Sequence, residues 1–114
     1  MHELGIVVHV INQIEELAKK NNVNKVVELT LEVGEVSGVV KEYFADAFEW
    51  AKKKTVYMKD CHLDLVIIQG ISYCEDCQKT YPTVEYGKEC PYCHGPNTYL
   101  VTGKDVMIKN IKVE

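Results

Sequence analysis

The sequence predicts an α+β protein: a small three-stranded sheet with two helices, plus a cysteine-bearing ribbon inserted between the last two strands. Hydrophobic residues recur first with helical and then with strand spacing, in the order helix, strand, helix, strand, and one more strand lies near the C-terminus. Four of the five cysteines fall in two close pairs before that last strand. At 114 residues, the chain is long enough for one modest core.

Two amphipathic helices are predicted, over residues 4–20 and about 39–53. In the first, apolar residues recur every three or four positions opposite a polar side, and Asn21-Asn22 ends the pattern. In the second, the apolar face is aromatic. The predicted core faces are Leu4, Val7, Val8, Ile11, Ile14, Leu17 and Ala18 in the first helix and Val40, Tyr43, Phe44, Ala47, Phe48 and Ala51 in the second.

Three segments have the pattern of strands. The first ends at Gly34, and the last runs from Val106 to Val113, where a change of apolar face predicts a bulge near Lys109. The alternating apolar residues are Val27, Leu29, Leu31 and Val33 in the first strand and Leu63, Leu65 and Ile67 in the second. These assignments predict an α/β domain of residues 1–70 and 103–114 and a separate ribbon of residues 71–102.

The two cysteine pairs give the strongest chemical signal in the chain. Two residues separate Cys74 from Cys77 and Cys90 from Cys93, and 12 residues lie between the pairs. Two tight turns with inward sulfurs complete a tetrahedral thiolate cage, so the spacing predicts structural zinc on all four cysteines. The alternatives are an iron–sulfur site or a redox dithiol, although a thioredoxin-like dithiol needs one pair at a helix start.

The remaining cysteine and the histidines carry weaker signals. Cys61 lies far from the quartet in sequence, so we interpret it as a structural or incidental thiol. His94 directly follows Cys93 and is either an exposed loop residue or a spare ligand. His9 and His62 are interpreted as structural or solvated.

Composition argues against several classes of function. All 13 basic residues are lysine, and 17 acidic residues give a net charge of −4. Because phosphate and guanine recognition rely on the arginine fork, no nucleic-acid partner is expected. No paired carboxylates, nucleophile with a base, or phosphate-binding loop is apparent, so no enzymatic activity is expected.

Location is predicted from the same composition. No apolar run is long enough to span a membrane, and no basic region precedes an apolar segment at the N-terminus, so neither a membrane segment nor a signal peptide is expected. Paired cysteines without export signals indicate a reducing cytoplasm and metal ligation rather than disulfides.

The first two residues form a second candidate metal site. The Met1 amine, the deprotonated His2 amide and His2 Nδ1 can close fused five- and six-membered chelate rings in one plane. Planar nitrogen donors suit nickel(II) or copper(II) better than zinc. The alternative is that His2 is an ordinary residue at a frayed terminus.

Across its whole length, the chain resembles the HypA/HybF family, nickel metallochaperones of [NiFe]-hydrogenase maturation. The resemblance rests on Met1-His2-Glu3 before an amphipathic helix, Phe44 to Phe48 in the second helix, and the two cysteine pairs before a C-terminal strand. Further similar features are Gly34-Glu35, Cys90-Pro91 and the ending Ile111-Lys112-Val113-Glu114.

The resemblance implies that His2 binds nickel with the N-terminal backbone nitrogens and that Glu3 is a neighbouring functional residue. It also implies structural zinc on the quartet, and nickel delivery to the hydrogenase large-subunit precursor together with the GTPase HypB. Some relatives place a carboxylate just before the second helix, where this chain has Val39-Val40 and the nearest carboxylate is Glu42. The fourth nickel donor is therefore open between Glu3, water and a residue of a partner.

Two other functions compete with nickel delivery. A zinc-ribbon adaptor would bind a protein or nucleic acid without transient metal, and a dithiol redox protein would carry reactive thiols. The expected oligomeric state is a monomer or a homodimer.

Overall fold

The computed structural model describes residues 3–114, and the predicted α+β class is confirmed. Met1 and His2 lie outside the described residues. Every predicted helix and strand is present to within about two residues at each end, and residues Thr83–Tyr86 form one additional helical turn. In chain order the elements are α1 (Glu3–Lys20), β1 (Val26–Gly34), α2 (Lys41–Lys52), β2 (His62–Ile68), β3 (Ile71–Cys74), β4 (Thr80–Pro82), α3 (Thr83–Tyr86), β5 (Thr98–Thr102) and β6 (Val106–Val113).

The strands form two three-stranded sheets. The first has the order β2-β1-β6, so that β1 is central, and this is the sheet that the sequence predicts. The second has the order β4-β3-β5, with both neighbours antiparallel to β3. It forms the ribbon strands on either side of the cysteine pairs.

The chain divides into two compact units. One contains the residues up to Leu31 together with Val39–Val66 and Ile108–Glu114, and the other contains Glu32–Gly38 and Ile67–Met107. The whole of the predicted ribbon, residues 71–102, belongs to the second unit. The predicted domain boundaries remain a prediction.

The first unit is built on the packing of α1 against α2. The predicted core face of α1 is partly wrong: Leu4, Val8 and Leu17 are exposed, whereas Val10 is buried. The helix buries a narrow stripe, and apolar residues on both sides of that stripe continue the same periodicity. In α2 the aromatic residues Phe44 and Phe48 are buried as predicted, but the predicted Val40 and Tyr43 are exposed.

Asn21 and Asn22 end α1 as predicted. The Asn22 backbone is left-handed, with φ 54°, a conformation that asparagine tolerates better than most residues. The N–H of Val23 then donates to the Ala18 carbonyl at 3.1 Å and that of Asn22 to the Lys19 carbonyl at 3.4 Å. This is the Schellman arrangement, which satisfies the last helical carbonyls.

In β1 the alternation is confirmed at Leu29, Leu31 and Val33, which are buried. At the start of the strand, Val26 is buried and the predicted Val27 is only half-buried. The N–H of Val26 donates to the Tyr57 carbonyl at 2.8 Å, which fixes this end of the strand against the loop after α2.

Three glycines allow main chains to cross closely within the second unit. A Cβ on Gly34 would collide with the Gly103 carbonyl, and one on Gly103 would lie 2.5 Å from the Gly70 Cα. Gly103 also has φ 94°, which favours glycine. The Glu35 carboxylate accepts the Gly70 N–H at 2.9 Å, and the Gly103 carbonyl accepts the Val36 N–H at 2.8 Å.

Within residues 3–114, no helix has both the length and the apolar character that crossing a membrane requires.

Candidate metal centre

The four paired cysteines come together at one point of the second unit. The ligand atoms of Cys74, Cys77, Cys90 and Cys93 all lie within 4.8 Å of one another. The sulfurs of Cys74 and Cys93 are 3.5 Å apart, as are those of Cys77 and Cys90. A tetrahedral site with zinc–sulfur bonds of about 2.3 Å has sulfur–sulfur edges of about 3.8 Å. The cluster therefore has the size of a four-thiolate zinc site.

The two cysteine pairs lie on turns of the same design. In the first turn the Gln78 N–H donates to the Cys74 carbonyl at 2.9 Å, and the Cys74 N–H donates to the Lys79 carbonyl at 2.9 Å. The corresponding bonds of the second turn run from His94 to Cys90 at 2.8 Å and from Cys90 to the Gly95 carbonyl at 3.1 Å. We call these two turns the knuckles.

The residue after the second cysteine of each knuckle has left-handed backbone. Its φ is 59° at Gln78 and 61° at His94. The His94 side chain is exposed, and its Nδ1 lies 3.7 Å from Glu89 Oε2. His94 does not belong to the cluster of ligand atoms. Of the two interpretations of His94, an exposed loop residue and a spare ligand, its exposure agrees with the first.

Backbone N–H groups point at the sulfurs and shift their ionisation. Burial disfavours the Cys90 thiolate, but hydrogen bonds from the N–H groups of Cys93 and Tyr92 and from neighbouring thiols outweigh it and lower the pKa of Cys90 to about 6. Burial, followed by hydrogen bonds to the thiols of Cys90 and Cys74, raises the pKa of Cys77 to about 12. The Cys90 thiol therefore ionises more readily than an ordinary cysteine, and the thiolate is the form that binds a metal.

Tyr81 forms the hydrophobic core behind the sulfurs. Its side chain is almost completely buried and clusters with Cys74 and Cys90. The hydroxyl donates to the Gly87 carbonyl at 2.9 Å, and the ring packs edge-on against Tyr86. This contact of Tyr81 with the cysteines could not be identified from the sequence alone.

Asn97 ties the first knuckle to the segment that follows the second. Its side-chain amide donates to both carboxylate oxygens of Asp76, at 3.2 and 3.1 Å, and its backbone carbonyl accepts the Glu75 N–H at 2.9 Å. The Lys79 ammonium lies 4.7 Å from the centroid of the Tyr92 ring and makes a second link. No signal in the sequence identified Asn97, because its partners are about twenty residues away.

Glu3, the first residue of α1, directly follows the predicted nickel donors in the sequence. Met1 and His2 are outside the described residues, so their predicted role stays a prediction. Glu3 is buried, and its Oε2 accepts the N–H of Val40 at 3.1 Å. This hydrogen bond joins the first residue of α1 to the residue that precedes α2.

The remaining candidates lie apart from any cluster of ligand atoms among residues 3–114. Cys61 is fully buried in the first unit, and its thiol donates to the His62 carbonyl at 3.6 Å. Burial is the main cause that raises the pKa of Cys61 to about 11. Both His9 and His62 are exposed.

Comparison with known proteins gives one consistent result. The family described as "Hydrogenase/urease nickel incorporation, metallochaperone, hypA" matches residues 1–113. The chain is 32% identical over 114 residues to "Hydrogenase maturation factor HypA" of Actinobacillus succinogenes, and the match covers 100% of both chains. It is 30% identical over 115 residues to "Hydrogenase/urease maturation factor HypA" of Helicobacter pylori, covering 99% of this chain and 97% of the relative.

Solved structures agree with the sequence relatives. The solution structure of the Ni metallochaperone HypA from Helicobacter pylori matches with a TM-score of 0.74 and 30% identity, covering 99% of this chain and 97% of that one. A structure described as "Solution structure of HypA protein" matches with a TM-score of 0.76 and 30% identity, covering 100% of this chain and 97% of that one.

Proposed function

The chain belongs to the HypA family of nickel metallochaperones for hydrogenase and urease maturation, and on that premise we propose that it carries nickel(II) at its N-terminus. The observation that supports this most strongly is the family match over residues 1–113, which includes His2. The nickel is cargo: the chain binds it, keeps it from competing ligands and releases it to another protein.

The proposed donors are the Met1 amine, the His2 amide nitrogen and His2 Nδ1. Together they offer three nitrogens in one plane, the arrangement that nickel(II) favours. Because His2 and the backbone amide must be deprotonated to bind, nickel binding weakens on acidification. A site at a chain terminus also suits release, since few buried contacts need to break before the ligands can move.

Glu3 is the described residue next to the proposed site, and its contacts favour a positioning role. The buried carboxylate already accepts the Val40 N–H, which holds the start of α1 against the segment before α2. We therefore propose that the fourth donor is water or a residue of a partner. Glu3 would act by holding the start of α1 in place, directly after the N-terminal donors in the chain.

We propose that the cysteine cluster holds structural zinc in a module of residues 71–102, while residues 1–70 and 103–114 carry nickel. Cys74, Cys77, Cys90 and Cys93 would be the four ligands. Bound zinc would supply a closed cross-link between the two knuckles and no open coordination position. We therefore propose that the chain is a carrier and not an enzyme.

The proposed partners follow from membership of the family. Nickel would pass to the hydrogenase large-subunit precursor together with the GTPase HypB, in the cytoplasm, from a monomer or a homodimer. We propose no nucleic-acid partner, because all 13 basic residues are lysine and the net charge is −4.

The proposal is tested by titrating nickel(II) into untagged wild-type protein and into His2→Ala. The wild-type chain should bind one nickel tightly, and the variant should lose that site. His9→Ala is the matched control, because His9 is an exposed histidine on α1. Equal affinity in wild type and His2→Ala would refute the N-terminal site.

A further inference from the structure

An apolar groove lies between the first turn of α1 and one face of α2, within the first unit. It is lined by Leu4, Tyr43, Asp46, Ala47 and Trp50, encloses about 380 Å³ and is open to solvent. Leu4, Tyr43 and Trp50 are 37%, 58% and 54% exposed. Contiguous apolar surface of this kind marks an interaction site more often than isolated exposed residues do.

The apolar surface of the groove follows from a second apolar face on α2. Phe44 and Phe48 form the first face and are buried. Tyr43, Ala47 and Trp50 follow one another at spacings of four and three, so they line a different face of the same helix. A surface helix that packs on one side only is normally polar on its other side.

The charges of the groove indicate the chemistry of its occupant. Asp46 is the one charged residue in the lining, and it forms no ion pair with any residue between positions 3 and 114. The Lys54 ammonium lies 4.0 Å from the centroid of the Trp50 ring. An apolar segment that places a cation opposite Asp46 complements this surface, because a like charge there would be repelled.

The position of the groove links it to nickel transfer. Leu4 lines the groove and is only two residues after His2 in the chain. A protein seated in the groove would therefore contact a residue only two positions along the chain from the proposed donor His2. Two helices form the walls, and a groove of this kind is filled by a third helix rather than by an extended strand, which needs a free sheet edge.

We infer that this groove docks an amphipathic helix of the protein that accepts nickel from the chain, with apolar anchors against Tyr43 and Trp50 and a basic residue opposite Asp46. The inference rests on the proposed function. It assigns the docking surface to the α1–α2 face and the specificity for a basic helix to Asp46.

The direct test is site-specific photo-crosslinking. A benzophenone amino acid is introduced at Tyr43, and in a control protein at Val56, which is 76% exposed and outside the groove. Each protein is irradiated with purified HypB and, separately, with the hydrogenase large-subunit precursor of the same organism. The inference expects a cross-link to the large-subunit precursor, the proposed nickel acceptor, from position 43 and none from position 56. Cross-linking from position 43 only to HypB, only to a second copy of the chain, or to nothing, would overturn it.

Affinity measurements test whether the negative charge of Asp46 contributes to docking. Asp46→Lys should weaken binding of the cross-linked partner by at least about tenfold, whereas Asp60→Lys, a charge reversal of an exposed residue outside the groove, should change it by less than about twofold. Both variants should bind nickel as wild type does. Unchanged docking of Asp46→Lys would refute the groove while leaving the nickel site intact, whereas a wild type without a tight nickel site would refute the proposed function itself.

Discussion

Gln78 and His94 occupy equivalent positions in the two knuckles, and both have left-handed backbone, with φ 59° and 61°. Each donates its N–H to the carbonyl of the first cysteine of its knuckle. The two halves of the metal centre therefore have the same backbone conformation and the same hydrogen bond, although they lie in different parts of the sequence.

This relationship predicts how His94 tolerates substitution. His94→Gly should keep or slightly raise the free energy of unfolding, because glycine adopts positive φ readily. His94→Val should lower it by about 1–2 kcal/mol, because a branched Cβ is strained in this conformation. Thermal unfolding and competition for zinc with a chelator measure both effects. If His94→Gly lost zinc as readily as a cysteine variant, His94 would be a ligand rather than a turn residue.

Glu3 gives a prediction that separates positioning from ligation. Glu3→Gln keeps an acceptor oxygen for the Val40 N–H, so its nickel affinity should stay within about twofold of wild type. Glu3→Ala removes the acceptor, which should cost about 1 kcal/mol of stability and weaken nickel binding. Calorimetric titration and thermal unfolding of the two variants provide the comparison. An equally large loss of nickel affinity in both would indicate that the carboxylate itself binds nickel.

Removing zinc should affect the two units differently. Cys74→Ser should release zinc and cost the ribbon of residues 71–102 its ordered structure, because the cross-link between the knuckles is lost. Amide signals from α1, α2 and the first sheet should stay dispersed in heteronuclear NMR spectra. Cys61→Ser, the matched control outside the cluster, should retain zinc. Cooperative unfolding of the whole chain in Cys74→Ser would contradict the proposed division into modules.

The raised pKa of the buried Cys61 thiol predicts that the protein loses stability at alkaline pH. Its thiol has a pKa of about 11 in the folded protein against an ordinary 9.0, so folding favours the protonated form. The stabilisation that comes from keeping the Cys61 thiol protonated is complete below pH 9, and it is lost as the pH rises through about 11. Denaturant unfolding of wild type and Cys61→Ala should therefore show a difference in stability that shrinks over this range. A constant difference would mean that Cys61 titrates normally.

The order of the helices and strands could be predicted because each follows from local periodicity, as the alternation of Leu29, Leu31 and Val33 illustrates. The buried stripe of α1 could not be predicted in full. Val8 and Val10 are equally apolar, and only the packing of the folded chain decides that Val10 is the buried one. Periodicity gives the approximate direction of a buried face, but its width depends on what covers it.

The cysteine cluster could be predicted because the ligand types and spacings are themselves local signals. The contacts that support it connect distant segments. Asn97 bonds to Asp76, and Glu35 bonds to the N–H of Gly70, at sequence separations of 21 and 35. The crossing of Gly34 and Gly103 is likewise visible only once the chain has folded. The groove beside α1 is not predicted for a related reason, since the periodicity of α2 places Tyr43 and Ala47 in the core.

The central claim, nickel binding by the free N-terminus, is tested most directly by blocking that terminus. Nickel(II) is titrated into protein that begins at Met1 and into protein with Gly-Ser added before Met1, followed by calorimetry and visible absorption. Two residues are added because a single one would merely extend the chelate by another amide nitrogen. The native terminus should bind one nickel tightly with the absorption of a planar nitrogen-ligated ion, and the extended protein should lose both. Identical affinity and spectra in the two proteins would contradict the claim.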